Sequence, residues 1–247
     1  MFGHRRSRLR QAAIKLLVRA ARQVGLELVK PRPGESADCP VFAHTMLGRE
    51  RLDNLQMCVE SVIEENVPGD LIETGVWRGG ATILMRATLA AHGVTDRRLF
   101  VADSFAGLPL PDAARYPADA GDQHHRNEYL KVSRAEVEEN FRKYDLLDKQ
   151  VVFLEGWFKD TLTRAPIARL AVLRLDGDMY QSTVESLGAL YPRLSPAGYC
   201  IVDDYAQLRK TRGSSENVTS RPSRTCGSAG YHGGTDSSEG TTSRNPY

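Results

Sequence analysis

The sequence predicts an α/β fold in which helices cover both faces of a parallel sheet. Between Met46 and Tyr205, short apolar runs alternate with segments whose apolar residues recur at helical spacing. Turns that contain glycine or proline separate these segments, as at residues 68–70. Such alternation is typical of βαβ units, whose strands are parallel. The chain has 247 residues, which is enough for one domain of this kind.

Each element follows from its local pattern. The predicted strands are short apolar runs at residues 71–76, 98–103, 151–154, 171–175 and 198–202. The predicted helices cover residues 51–65, 81–91 and 183–191, together with a segment that begins at Ser133. Glu136 follows Ser133 by three residues, which is the spacing of a capping box. A polar insertion, residues 106–130, precedes that helix.

Composition excludes several functional classes for the chain as a whole. Lysine and arginine total 33 against 31 acidic residues, with 26% charged and 41% hydrophobic residues. This balance is typical of globular proteins and unlike a basic nucleic-acid binder or an acidic disordered chain. No apolar run reaches the length of about 18 residues that a membrane span needs. The four cysteines form no CxxC pair, so a reduced, cytoplasmic protein is predicted.

The two ends of the chain differ from its centre. Residues 1–33 are basic and carry apolar residues at helical spacing, which predicts an amphipathic helix. Whether this helix packs on the domain, acts as a targeting segment, lies on a membrane or forms a subunit interface stays open. Residues 209–247 are rich in Ser, Thr, Gly and Arg. A disordered tail is predicted there, because its few apolar groups cannot offset about 1–2 kcal/mol of backbone entropy per residue.

A glycine-containing turn, residues 73–80, follows the first predicted strand. Its glycines let a ligand approach the backbone, and the start of the next helix offers free N–H groups. The second predicted strand ends in Asp103, where an acid can accept hydrogen bonds from ribose hydroxyls. The glycine-containing turn and Asp103 together predict nucleoside binding. The alternative is that the turn only starts a helix and that the aspartate faces water. The spacing differs from the dinucleotide motif G-x-G-x-x-G.

Carboxylates follow the fourth and fifth predicted strands. Asp176 and Asp178 close one strand, and Asp203 and Asp204 close the other. If these strands are neighbours, about 4.8 Å apart, the acids meet at one edge of the sheet and repel one another without a cation. Oxygen ligands suit a hard divalent ion, so Mg²⁺ is predicted. The alternative is that these aspartates form turns and helix caps that face water.

Five ordered motifs resemble the macrocin O-methyltransferase family. They are PGDLIETGVWRGG at residues 68–80, DSFAGLP at 103–109, GWFKDTL at 156–162, LDGDMY at 175–180 and VDDY at 202–205. That family comprises magnesium- and S-adenosylmethionine-dependent sugar O-methyltransferases of macrolide and aminocoumarin biosynthesis. The resemblance implies a class I methyltransferase Rossmann-like sheet over residues 34–208. It also implies S-adenosylmethionine and Mg²⁺ as cofactors and a small-molecule glycoside as the acceptor.

The resemblance also implies roles for matching residues. The methionine part of the cofactor would lie against Glu73, Thr74, Gly75, Val76 and Gly79. The ribose would lie against Asp103 and Ser104, and the adenine against Gly156, Trp157 and Phe158. The ligands of Mg²⁺ would be Asp176, Asp203 and Asp204.

A base must accept the proton of the acceptor hydroxyl. Asp178 is one candidate, because it follows a predicted metal ligand by two residues. His124 or His125, in the insertion, is the other candidate, although either histidine can equally be an exposed loop residue. The insertion and the segment around Met46 are expected to cover the acceptor and the cofactor and to exclude water.

The resemblance ends near residue 205. Members of the family continue with a helix and a closing antiparallel strand pair, whereas this chain continues into the Ser/Thr/Gly/Arg-rich tail. We therefore expect a sheet that is incomplete at its C-terminal edge, and we hypothesise a changed reading frame or misplaced terminus from about residue 206.

Three alternatives to an active sugar methyltransferase remain. A truncated relative would bind a nucleoside or partner proteins without turnover, as the tail suggests. A nicotinamide-dependent oxidoreductase is disfavoured, because the glycine spacing differs and paired strand-end aspartates have no role in hydride transfer. Nucleic-acid methylation would suit the basic N-terminal segment, but no aromatic and basic patch accompanies it. The acceptor, the site of methylation and any homo-oligomer are left open by the sequence.

Overall fold

The computed structural model describes residues 43–203 and 224–227. The described residues from His44 onward belong to one compact unit. The predicted N-terminal helix, most of the predicted tail and Asp204 lie outside the described residues, so these predictions stay untested.

Within the described ranges, six parallel strands form one sheet in the order β3-β2-β1-β4-β5-β6. They are β1 (Asp70–Thr74), β2 (Leu99–Asp103), β3 (Val151–Glu155), β4 (Leu170–Leu175), β5 (Leu194–Val202) and β6 (Arg224–Gly227). The first five match the predicted strands, so the predicted parallel α/β sheet is confirmed. The order reverses at β1, which has β2 on one side and β4 on the other. In sheets of this kind ligands bind beyond the carboxyl ends of the strands at that reversal.

The helices are α1 (Arg49–Glu64), α2 (Gly80–Ala91), α3 (Arg134–Lys143), α4 (Phe158–Thr161) and α5 (Tyr180–Leu190). Ser133 caps α3 as predicted, since its Oγ accepts the N–H of Glu136 at 3.2 Å. The Glu136 carboxylate lies 3.6 Å from Arg78. No helix in the described ranges is both long and apolar enough to cross a membrane.

Helices cover both faces of the sheet, as predicted. Neighbouring strand residues alternate between two hydrophobic clusters, with Leu71 in one and Ile72 in the other. The first cluster includes Val59 of α1, Met85 and Leu89 of α2, and Val137 and Phe141 of α3. The second includes Phe100, Leu162, Leu173 and Leu190. The sheet is therefore buried between α1, α2 and α3 on one face and α4 and α5 on the other.

The C-terminal edge of the sheet differs from the expectation. Within the predicted disordered tail, the structure has a short strand, β6, whose four residues pair in parallel with residues 199–202 of β5. The family pattern implied a closing antiparallel pair at this edge. An unpaired strand edge leaves its backbone N–H and C=O groups without partners, and an extended polar segment can supply them. Because the rest of the tail lies outside the described residues, its predicted limits are not tested.

Candidate active site

A pocket of about 360 Å³ lies at the carboxyl ends of the strands, where the sheet order reverses. Predicted site residues form one part of its wall: Gly75, Asp103, Ser104, Gly156, Trp157, Phe158, Asp176 and Asp178. The insertion and α5 form another part: Gly107, Leu108, Pro109, Leu110, Asp112, Leu130, Gln181, Ser182 and Glu185. The pocket therefore joins the motifs that the sequence places far apart.

Gly75 makes the turn that follows β1. Its φ angle is +80°, and a Cβ atom at this position would lie 1.9 Å from the carbonyl oxygen of Asp176. Only glycine combines this left-handed conformation with so close an approach of two strand ends. The turn continues into Val76, whose N–H donates a hydrogen bond to Asp103 at 2.8 Å. The glycine turn thus connects the ends of β1, β2 and β4.

The Asp103 carboxylate is fixed at the pocket wall by backbone donors. Its Oδ2 accepts the N–H of Val76, and its Oδ1 accepts the N–H of Phe105, each at 2.8 Å. Burial raises the pKa of Asp103, and the N–H groups of Phe105 and Val76 oppose this rise. A carboxylate oxygen can accept more than one hydrogen bond, so Asp103 can still receive hydroxyl groups of a ligand.

Ser104 and the segment 156–158 surround Asp103. The Ser104 hydroxyl donates to the carbonyl of Gly107 at 2.6 Å and accepts the N–H of Ala106 at 3.0 Å. It therefore holds the loop that begins the insertion. Trp157 is half exposed at the pocket, and the positive φ of Gly156 (+131°) turns the chain between β3 and α4. These aromatic and glycine residues offer a flat, open surface to a ligand.

The remaining predicted cofactor residues lie behind the pocket wall. Glu73 and Thr74 are buried at the end of β1, and the Glu73 carboxylate accepts the Thr82 hydroxyl at 2.7 Å. Gly79 ends the turn at φ +83°, where a Cβ atom would lie 2.8 Å from Val137. The pocket lining does not include Glu73, Thr74, Val76 or Gly79. In the described structure they support the turn and do not face the pocket.

Two arginines that the sequence analysis missed neutralise the strand-end carboxylates. Arg174, only 1% exposed, forms ion pairs with Glu73, with Asp176 at 2.9 Å and with Asp203 at 3.0 Å. Arg51 of α1 pairs with the other oxygen of Asp203 at 2.8 Å. The signal in the sequence was a single arginine within the apolar strand LAVLRL. In the described structure, the guanidinium groups of Arg174 and Arg51 therefore balance the negative charge of these carboxylates.

The predicted magnesium site stays a prediction, and the two of its ligands that the structure describes, Asp176 and Asp203, contact arginines. β4 and β5 are neighbours, as the prediction required, with Leu175 beside Val202. However, both carboxylate oxygens of Asp203 contact guanidinium groups, one of Arg51 and one of Arg174. Arg174 also forms an ion pair with Asp176. No group of three or more His, Cys, Asp or Glu side chains in the described ranges is arranged to hold a metal. Asp204, the third predicted ligand, lies outside those ranges.

The structure separates the candidate bases. Asp178 lines the pocket and has a φ angle of +58°, in the left-handed region that aspartate enters more readily than most residues. His124 is 45% exposed and contacts Asp122 at 2.7 Å. Neither His124 nor His125 belongs to the pocket lining. Asp178 is therefore the candidate that the fold brings to the site.

The insertion is attached to α5 by a buried aspartate. Both oxygens of Asp119 accept backbone N–H groups at the start of α5, from Tyr180 and Gln181, each at 2.8 Å. This contact explains why α5 begins before residue 183, where the sequence pattern predicted its start. It also places the insertion along one side of the pocket, while its expected covering of the acceptor and the cofactor stays a prediction. Met46 lines the pocket as well.

Comparison with known proteins identifies relatives of this chain. A family model described as macrocin-O-methyltransferase matches residues 4–221, so the match extends past the last motif. Demethyldecarbamoylnovobiocin O-methyltransferase from Streptomyces niveus is 60% identical over 175 residues, which cover 69% of this chain and 66% of that protein. Mycinamicin III 3''-O-methyltransferase from Micromonospora griseorubida is 55% identical over 171 residues, covering 68% and 67% respectively. The chain thus spans about two thirds of the length of these relatives.

A solved structure agrees with the fold. The O-methyltransferase NovP superposes with a TM-score of 0.63 at 55% sequence identity, over 70% of this chain and 75% of that chain. Together with the order of the strands, this likeness confirms the predicted class I methyltransferase sheet.

Proposed function

The chain belongs to the macrocin O-methyltransferase family, and we propose that it transfers the methyl group of S-adenosylmethionine to a sugar hydroxyl of a natural-product glycoside. The observation that carries this proposal is the pocket itself, in which Gly75, Asp103 and the segment 156–158 lie together at the reversal of strand order. The names of the related enzymes support an antibiotic glycoside as the acceptor. Nothing in the family match supports a nicotinamide-dependent oxidoreductase.

The residues at the strand ends fit S-adenosylmethionine. When bound, this cofactor supplies an electrophilic methyl group on a sulfonium centre. Asp103 would accept hydrogen bonds from the ribose hydroxyls, because backbone N–H groups already fix its carboxylate at the wall. Trp157 and Phe158 would stack against the adenine, and the lack of a side chain at Gly75 would let the methionine part approach the backbone.

Other residues of this chain would orient the acceptor and receive its proton. Asp178 lines the pocket beside Asp176, and its carboxylate would accept the proton as the hydroxyl oxygen forms its new bond to carbon. The insertion, held on α5 by Asp119, would exclude water and align the two reactants. The contribution of His124 and His125 as bases stays a prediction.

Magnesium dependence also stays a prediction. Asp203 would have to exchange at least one of its arginine partners for a metal ion. We therefore assign no step of the transfer to Mg²⁺.

Calorimetry with S-adenosylhomocysteine, with and without Mg²⁺, tests the cofactor half of the proposal. We expect binding in the micromolar range, equivalent to about −8 kcal/mol. Methyl transfer to demethyldecarbamoylnovobiocin and to mycinamicin III, the acceptors named for two relatives, then tests the other half. Binding without transfer to any glycoside would favour a truncated relative that only binds. An absence of binding by a folded protein would contradict the proposal.

A further inference from the structure

We propose that Glu185 recognises the acceptor, by accepting a hydrogen bond from a hydroxyl or ammonium group other than the one that is methylated. This inference rests on the proposed function and deepens it. Glu185 lies on α5, lines the pocket and is half-buried. None of the five sequence motifs includes it, and nothing in its neighbourhood in the sequence marked it as a site residue.

Two donors hold the Glu185 carboxylate in place. Its Oε1 accepts the amide N–H of Gln181 at 3.0 Å and the hydroxyl of Tyr116 at 3.4 Å. Within the described part of the chain, neither contact involves Oε2, the second carboxylate oxygen. A carboxylate fixed through one oxygen keeps the acceptor capacity of the other. Because an ionised carboxylate only accepts hydrogen bonds, its ligand partner must be a donor such as a hydroxyl or an ammonium group.

Gln181 supplies a second, independent observation. Its amide nitrogen faces Glu185, which fixes the orientation of the amide group. The opposite atom, Oε1, is buried and has no hydrogen-bond partner among the described residues. Most buried polar atoms have a hydrogen-bond partner, so the Gln181 Oε1 atom calls for one, and a donor on a bound acceptor would supply it. Gln181 also lines the pocket, so its side chain and Glu185 form one polar patch on α5.

The position of Glu185 separates it from the reacting centre. It lies five residues after Tyr180, the first residue of α5, or about 7.5 Å along the helix axis. The start of α5 adjoins Asp178 and the end of β4, where the methyl group would be transferred. The insertion covers the region of Glu185, and Leu110, 75% exposed, lines the same pocket. This part of the pocket therefore suits a polar group carried on a partly apolar acceptor.

The insertion also controls the geometry of the polar patch. Tyr116 belongs to the insertion and precedes Asp119, whose carboxylate fixes that segment to the start of α5. Burial and the nearby Glu185 raise the pKa of Tyr116, so its hydroxyl stays protonated and donates at neutral pH. Tyr116 is thus a positioning residue for the Glu185 carboxylate.

Steady-state kinetics of Glu185→Gln, which keeps the size of the side chain and removes its charge, test the proposal. We expect the KM for demethyldecarbamoylnovobiocin or mycinamicin III to rise about 10- to 100-fold, which corresponds to one hydrogen bond to a charged group. The affinity for S-adenosylhomocysteine should not change. Tyr116→Phe should raise KM in the same direction by a smaller factor. Glu139→Gln, on the exposed surface of α3, is the matched control and should leave KM unchanged.

Acceptor analogues distinguish the two donor groups. An analogue that lacks the contacted hydroxyl should bind the wild type and Glu185→Gln equally, and an ammonium in its place should enlarge the difference between the two proteins. An unchanged KM in Glu185→Gln, while the wild type transfers methyl groups, would overturn this proposal alone. Failure of the wild type to transfer to any acceptor would overturn the proposed function and this inference with it.

Discussion

Arg174 supplies positive charge to three carboxylates at the ends of β1, β4 and β5. If Arg174 is replaced by Met, Glu73, Asp176 and Asp203 lose their shared partner within a buried site. Removal of one member of a buried ion network typically costs about 3–5 kcal/mol, because the remaining charges are left without compensation. We expect a loss of this size in the free energy of unfolding, measured by urea denaturation. Charge-preserving Arg174→Lys should lose less.

Arg142→Met provides the matched control for this prediction. Arg142 pairs with Glu138 at 3.2 Å and Glu139 at 3.3 Å, but its side chain is half exposed on α3. Exposed ion pairs contribute about 0–1 kcal/mol, so the loss should be small. Equal losses in the two variants would show that burial adds nothing to the Arg174 network.

Asp103 gives cofactor binding a characteristic pH dependence. Its ionised form accepts hydrogen bonds with both oxygens, whereas its protonated form loses acceptor capacity. Because burial raises the pKa of Asp103 above 3.8, S-adenosylhomocysteine affinity should be complete above the raised pKa and fall as the pH decreases through it. The decline should begin at a higher pH than for an ordinary aspartate.

Calorimetry between about pH 4.5 and pH 8 measures this decline, since ordinary aspartates titrate near pH 3.9. Asp103→Asn should bind about 10-fold or more weakly and show a flatter profile, because it has no carboxyl group to titrate. An equally steep profile in Asp103→Asn would assign the titration to another group.

At the scale of elements, Asp119 joins the insertion to α5. Asp119→Ala removes the acceptor of two N–H groups at the start of α5, which should cost about 0.5–2 kcal/mol of stability, as for other helix caps. The insertion should also be cut faster in limited proteolysis, because its attachment is lost. Mass spectrometry of the fragments would locate the cleavage sites.

Ser133→Ala is the control, because Ser133 caps α3 and makes no described contact with α5. It should reduce stability by a similar amount without faster cleavage in the insertion. If the insertion is cleaved at the same rate in both variants, Asp119 acts as a helix cap only and does not attach the insertion.

The elements also show what sequence reasoning can and cannot reach. Strands such as β1 and the cap at Ser133 were predictable, because apolar runs and cap spacing are local properties. The start of α5 depends on Asp119, 61 residues before Tyr180, and no local pattern contains that contact. Gly75 and Asp103 were predictable because both lie within sequence motifs that resemble those of the family. Glu185 and Arg51 were missed because only tertiary structure brings them to it.

At the scale of the whole molecule, one charge network joins separate parts of the fold. It connects α1 through Arg51 to β5, and β5 through Arg174 to β4 and β1. The strand ends that form the pocket are therefore fixed relative to one another by charged groups as well as by backbone pairing. Spacing alone could not reveal that Arg174 and Arg51 contact the carboxylates of this cluster.

Cys200, two residues before the end of β5, reports on the stability of the folded molecule. It is buried in the second hydrophobic cluster, and burial raises the pKa of its thiol from 9.0 to about 12. In the unfolded chain the thiol loses its proton near pH 9, whereas in the folded chain it keeps the proton until the pH approaches 12. The unfolded state therefore binds fewer protons between these values, and the stability present below about pH 9 is lost as the pH rises toward 12.

Comparison with Cys200→Ala isolates this contribution from other groups that titrate at high pH. By pH 10 the wild type should lose about 1.4 kcal/mol more of its unfolding free energy than the variant loses, relative to each protein at pH 7. Urea denaturation under reducing conditions at both pH values measures the difference, and the fixed cost of the missing thiol cancels within each protein. Equal declines would mean that water reaches Cys200 in the native state and that the sheet opens at β5, next to the β6 edge where the structure departs from the family pattern.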